Sequence, residues 1–218
     1  MTLSPGVDAW PDAGDDHEGD SDASVVEKSW ETPDVFAVLF DRYAGDIHRY
    51  VARRLGVDVA DDLMAETFVI AFQQRRGYDL TQSQARPWLY GIATNLVGRH
   101  RRVEARRLRA LSRAASLAAD GGNAEGEPIE DRVVERDSVE RAARVLAGAL
   151  AGLPARHRDV FLLAAWGGLD YAETARSLGI PVGTVRSRLH RARAQLRRSI
   201  DTRDALPAAA PHKEHDHG

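Results

Sequence analysis

The sequence predicts an all-α protein: two small helical domains joined by a flexible linker. Three observations predict it. Ala and Arg are abundant and strand-type runs are scarce, which makes helix the default state. Apolar residues recur at three- and four-residue spacing through most of the chain. One stretch, "AADGGNAEGEPIED", carries Gly121, Gly122, Gly126 and Pro128 and breaks that spacing between two helical blocks. A length of 218 residues allows one or two small domains, and with aromatics at 6% their cores should be Leu, Ala and Val.

Residues 1–33 are rich in Asp, Gly, Ser and Pro and bury too little to offset chain entropy, so a disordered acidic extension is expected. Trp10 and Trp30 stand out there, as isolated exposed rings or as small docking points. Order is expected over 34–112. "TPDVFAVLFDRYAGDIHRYVARRLG" has Thr32 as a cap, Pro33 in the first turn and Gly56 at the end. Phe36, Leu39, Phe40, Tyr43, Ile47, Tyr50, Val51 and Leu55 keep helical spacing. "DVADDLMAETFVIAFQQRRG" reads as a second helix with Leu63, Phe68 and Phe72 inside, and "YDLTQSQA" as a polar loop. "RPWLYGIATNLVGRHRRVEARRLRALSR" reads as a long third helix, apolar first and Arg-rich later.

Residues 113–137 form the linker, and 138–200 the second domain. In "SVERAARVLAGALAGLP", Val145, Leu146, Ala149, Leu150 and Leu153 share one side and Pro154 stops the helix. "ARHRDVFLLAAWGG" is a short apolar helix, and 201–218 is a loose tail. "YAETARSLG" then makes a short helix with Ala172, Ala175 and Leu178 on one face. After the turn "GIP", a longer helix places Val185, Leu189, Ala192 and Leu196 inward. Helix, Gly-containing turn and longer helix form a helix-turn-helix pattern. Thr184, Arg186, Ser187, Arg188 and Arg191 then face outward, where Arg suits guanine edges or phosphate and hydroxyls suit phosphate.

Net charge is −3, but the charge is segregated. Residues 1–34 hold one Lys against ten acids, and 35–111 hold thirteen Arg against eight. Residues 112–137 hold three Arg against seven acids, and 138–200 hold eleven Arg against four. Two basic blocks on acidic tethers point to a polyanion partner. The absence of cysteine excludes disulfides and thiol chemistry and suits a reducing cytoplasm. No apolar run approaches the roughly 18 residues of a membrane span, so no membrane insertion is expected. The N-terminus lacks the basic start and apolar core of a secretion signal.

"ADDLMAETF", followed by "WLYGIATN" and an Arg-rich run, resembles the second conserved region of bacterial sigma factors. "LAGLPARHRDVFLLAAWGGLDYAETARSLGIPVGTVRSRLHRARAQL" resembles their fourth region. With only a linker between, the chain resembles an extracytoplasmic-function (ECF) sigma factor over about 35–200. The resemblance implies a cytoplasmic, non-catalytic transcription factor with no cofactor or metal. It implies core RNA polymerase and promoter DNA as partners, together with an anti-sigma factor. Asp61, Asp62, Glu66 and Phe68 would lie in the helix that meets the polymerase clamp. Trp88 and Asn95 would serve capture of an unstacked −10 base, with Arg99, Arg101 and Arg102 along the nearby backbone. Thr184, Arg186, Ser187, Arg188 and Arg191 would read the duplex −35 element.

Plainer readings stand beside these. Trp88 precedes Leu89 and suits a core as well as a stacking surface. Asn95 can serve a local hydrogen bond, and acids early in a helix suit its dipole. The chain departs from the family pattern at Ala65, Thr94 and Thr174, where the family has Gln, Arg and an aliphatic residue. A free-standing helix-turn-helix regulator competes, but it needs a dimer seam the sequence lacks and leaves the first block unexplained. A metal hydrolase using His212, His215 and His217 finds no scaffold in a Pro- and Ala-flanked tail.

Overall fold

A computed structural model describes residues 19–119 and 138–204. Among the described residues every element is helical. Trp10, the linker acids Asp120, Glu125, Glu127, Glu130 and Asp131, and His212, His215 and His217 lie outside the described residues. The chain divides into two compact units, with the boundary between Arg102 and Val103.

The first unit holds α1 (Asp22–Lys28), α2 (Ala37–Leu55), α3 (Ala60–Gln74) and the start of α4 (Arg86–Ala119). Its core joins Leu39, Ile47, Tyr50 and Val51 of α2 with Leu63, Phe68 and Ala71 of α3. Leu89, Tyr90, Ala93, Leu96 and Val97 of α4 complete it. Thr32 makes no side-chain cap; a 3-10 turn over Pro33–Phe36 leads into α2 instead. Gly56 closes α2 at φ 92°, a left-handed value that favours glycine. The helix expected to end at Arg113 continues to Ala119.

The expected disorder of 1–33 does not extend to its last third. Ser21 caps α1 by accepting from the Ser24 N–H at 3.2 Å, and Val25 and Val26 are fully buried. Seven residues cannot hold a helix alone in water. One carboxylate ties α1 down. Asp22 Oδ1 accepts from Arg42 Nη1 at 2.8 Å, and Oδ2 accepts from the Tyr43 hydroxyl at 2.6 Å and the Ala85 N–H at 2.7 Å. Burial, then the bond to Asp22, pushes the Tyr43 phenol above its usual range. Trp30 is no isolated ring: its indole N–H donates to the Arg75 carbonyl at 3.3 Å, and Arg75 Nε donates to the Ser29 carbonyl at 3.3 Å.

The second unit holds α5 (Ser138–Ala151), α6 (Ala155–Ala165), α7 (Tyr171–Leu178) and α8 (Val182–Asp204). α8 therefore runs four residues into the expected tail. Ala149, Leu150 and Leu153 are buried as expected, but Leu146 is 40% exposed. Val160, Ala175, Val185 and Leu189 form the centre of the core, with Phe161, Leu178 and Ile180 packed against it. Local chemistry sets the turn. Asp170 and Glu173 form a reciprocal capping box at the start of α7. Gly179 ends α7 in the left-handed region at φ 61°. The Ile180 N–H then reaches the Ala175 carbonyl at 3.0 Å and the Gly179 N–H reaches that of Arg176 at 3.3 Å, a Schellman closure. Thr174 is fully buried and its hydroxyl has no hydrogen-bond partner.

Candidate nucleic-acid interface

On α8 the buried Val185, Leu189, Ala192 and Leu196 fix the inner side. At about 100° per residue, the opposite midline runs through Gly183, Ser187, His190 and Ala194. Gly183, Ser187 and His190 are exposed. Arg186 and Arg188, two residues apart, fall about 160° from one another and so flank this midline rather than share it. Each has its own neighbour. The Arg186 guanidinium lies 5.9 Å from the centre of the exposed Tyr171 ring. Arg188 stands near the buried His157 of α6, along with Arg191 and Arg156. Burial first, then Arg156, Arg191 and Arg188, lowers the His157 pKa below the usual imidazole value. Its Nδ1 has no hydrogen-bond partner.

Thr184 is half-buried, and the Ser187 hydroxyl donates to its carbonyl at 3.0 Å. Small residues along the midline allow close approach to a groove, and His190 is the longest side chain among them. His190 is not conspicuous in the sequence, where the arginines dominate this helix. The signal was available in the wheel position, three residues after Ser187 and four before Ala194.

In the first unit, Asn95, Arg99 and Arg102 are exposed. Their spacing of four and three places them on one face of α4. Arg101 points elsewhere and donates to the Arg54 carbonyl at 2.7 Å, holding the end of α2. That bond sets Arg101 off the face shared by Asn95, Arg99 and Arg102. Thr94 also faces inward, 4% exposed, sharing a 2.8 Å hydrogen bond with the Tyr50 hydroxyl. Trp88 is half-buried with its ring 4.9 Å from that of Tyr78. It braces the loop before α4 while keeping part of its surface open. That loop is ordered. Asp79 accepts from the Thr81 hydroxyl at 2.7 Å, the Thr81 N–H at 3.1 Å and Gln82 Nε2 at 3.2 Å, and these bonds lower its pKa.

Asp61 and Asp62 are exposed on the first turn of α3, and His48 Nε2 approaches Asp61 Oδ1 at 3.4 Å. Phe68 is buried, as its spacing predicts: it is 6% exposed and packs edge-on against Phe40, itself 42% exposed, so any part it takes in a polymerase contact is from beneath the surface. Glu66 is half-buried and forms an ion pair with Arg99 across α3 and α4. The structure therefore brings together two residues that the sequence assigned to different partners. Among the described residues no cluster of three or more His, Asp or Glu suits a metal. No described helix is long and apolar enough to cross a membrane.

Comparison with known proteins accounts for both units. Residues 39–107 match Sigma-70 region 2, and residues 143–196 match Sigma-70, region 4. The chain is 30% identical over 170 residues to the ECF RNA polymerase sigma factor SigW of Bacillus subtilis, covering 77% of this chain and 89% of that protein. It is 31% identical over 163 residues to the ECF RNA polymerase sigma factor SigL of Mycobacterium tuberculosis, covering 74% and 86%. Its fold is similar to CnrH, solved in complex with the cytosolic domain of CnrY, at TM-score 0.57 and 24% identity, covering 84% of this chain and 99% of that one. It is also similar to the sigma factor RpoE of Bartonella quintana, solved with the anti-sigma factor NepR, at TM-score 0.53 and 21% identity, covering 77% and 98%.

Proposed function

Because the chain belongs to the ECF sigma factors, which act with RNA polymerase in promoter-specific transcription, we propose that its two domains divide recognition of the promoter. The second domain reads the −35 duplex with α8. Ser187, His190 and Arg191 approach base edges, while Arg186 and Arg188 reach backbone phosphates on either side, assisted by Thr184. The first domain holds the melted −10 strand. Asn95 hydrogen-bonds an unstacked base, and Arg99 and Arg102 take its phosphates. Trp88 and the 78–85 loop wall the pocket. Recognition of an extruded base needs such a pocket together with cations for the strand. Asp61, Asp62 and Glu66 meet core polymerase from α3, with Phe68 supporting them from below. The domains span 34–112 and 138–200, joined by the 113–137 linker, and the protein works in the cytoplasm, where polymerase is. It has no catalytic role of its own, and an anti-sigma factor restrains it.

The observation that carries this reading is the α4 face, where an exposed mid-helix amide is followed on the same side by two exposed guanidiniums. Asn is a poor helix former, so its placement there suits a task at the surface. The test is transcription by reconstituted holoenzyme on a promoter library. Promoter-specific transcripts are expected, and Asn95→Ala should shift preference at one −10 position without loss of polymerase binding. Duplex binding with no polymerase-dependent transcription would favour a free-standing regulator instead.

A further inference from the structure

The ion pair between Glu66 and Arg99 joins the surface assigned to polymerase with the surface assigned to melted DNA. Arg99 sits between Asn95 and Arg102 on one face of α4, about one turn from each. The Glu66 carboxylate therefore reaches into the middle of a strand-binding face. There it neutralises one guanidinium and sets a negative charge where a phosphate would lie. Both side chains keep solvent access, at 35% for Glu66 and 61% for Arg99, so the contact can open without unfolding the domain.

We infer that Glu66 is a mask on the DNA face, withdrawn when core polymerase engages α3. This rests on the assignment of α3 to polymerase and α4 to the −10 strand. In the free protein, Arg99 is held by Glu66 and contributes little to strand binding. In holoenzyme, polymerase takes Glu66 and Arg99 turns to phosphate. The protein then gains strand affinity only where it is useful, and free copies do not sequester single-stranded DNA. The contact is largely exposed, so its effect is a few-fold bias rather than an on–off switch.

The test uses the full chain and a fluorescent single-stranded −10 oligonucleotide, with and without core polymerase. Without polymerase at low salt, Glu66→Gln should bind roughly two- to five-fold tighter than the parent, and the gain should shrink as salt rises. The gain should vanish in an Arg99→Ala background and in holoenzyme. Asp41→Asn, which removes an exposed acid of α2, controls for net charge and should give no gain. No gain from Glu66→Gln in the free protein, or an equal gain from Asp41→Asn or in the Arg99→Ala background, overturns the mask. If Arg99→Ala weakens holoenzyme on the strand while Glu66→Gln brings no gain in the free protein, the mask fails and the −10 assignment stands. If Arg99→Ala leaves holoenzyme unaffected, both fail.

Discussion

Removing the Asp22 carboxylate should loosen both the first domain and the pocket proposed for the −10 strand. Asp22→Ala deletes three hydrogen bonds in one step, those from Arg42, the Tyr43 hydroxyl and the Ala85 N–H. Arg42 keeps 27% of its side-chain exposure and can turn to water, which limits its share of the loss. The Ala85 N–H cannot, because Ala85 is fully buried. One stranded donor costs about 1–3 kcal/mol, and loss of a buried charge partner about 3–5 kcal/mol when no water compensates. With Arg42 partly relieved, we expect about 3 kcal/mol in all. For a domain of this size that is roughly 12–24 °C of melting temperature. Ala85 directly precedes α4, so the helix carrying Asn95 loses its anchor as well. Thermal melts of parent and variant measure the first effect. Promoter opening by holoenzyme at a temperature where the variant remains folded measures the second. A melting shift under 2 °C would refute the idea that this carboxylate holds α1 and the α4 entry together.

Three further outcomes are expected. Thr174→Val replaces a buried hydroxyl lacking a partner with a group of the same shape, so it should stabilise the second domain by about 1 kcal/mol; a lower melting temperature would reveal a hidden bond to that oxygen. His157 has a lowered pKa, so the unfolded chain takes up its proton first as pH falls. Its contribution is then fully present above about pH 6.5 and is lost as pH drops from there toward the folded pKa. The melting temperature of the parent should therefore fall more steeply than that of His157→Gln between pH 7.5 and pH 5.5; parallel slopes would show that the imidazole does not report on its neighbours. His190→Ala should change base preference within the −35 element, whereas Arg186→Ala should weaken binding evenly across sequences and reduce the salt slope by about one; identical sequence logos for parent and His190→Ala would remove His190 from the reading face.

The helix-turn-helix was legible because each of its signals is local. Asp170 and Glu173 cap one helix within a single turn, Gly179 supplies the left-handed residue, and Val185, Leu189 and Leu196 declare the buried side by spacing alone. α1 was not legible because what stabilises it is remote. Asp22 finds its partners 20, 21 and 63 residues away, and in the sequence it looks like one acid among many in a solvated tail. Phe68 was legible as core from its spacing, but what covers it and where Arg101 turns were not. Periodicity says which residues share a face, but not whether another helix covers that face. Phe40 of α2 overlies Phe68, and the end of α2 draws Arg101 inward. The Glu66–Arg99 contact joins positions 33 apart in sequence, and nothing in either local pattern announces it.

The way this chain fixes its guanidiniums bears on how a basic surface stays useful. A carboxylate partner orients an arginine but cancels its charge. A carbonyl or a ring orients it and leaves the charge in place. Arg75 is set by the Phe72 and Ser29 carbonyls and lies 3.8 Å from the centre of the Phe72 ring. Arg76 donates to the Trp30 carbonyl at 3.3 Å, and Arg186 rests on Tyr171. These side chains are ordered in advance, so less rotamer entropy remains to be lost when a phosphate arrives. Arg42 with Asp22, Arg49 with Asp46 and Arg99 with Glu66 are fixed by carboxylates instead, and for Arg99 that carboxylate stands on the helix assigned to polymerase. A charge held by a neutral group is always available to DNA. A charge held by Glu66 is available only when something else claims Glu66, so at this one position of the α4 face strand binding depends on a second partner.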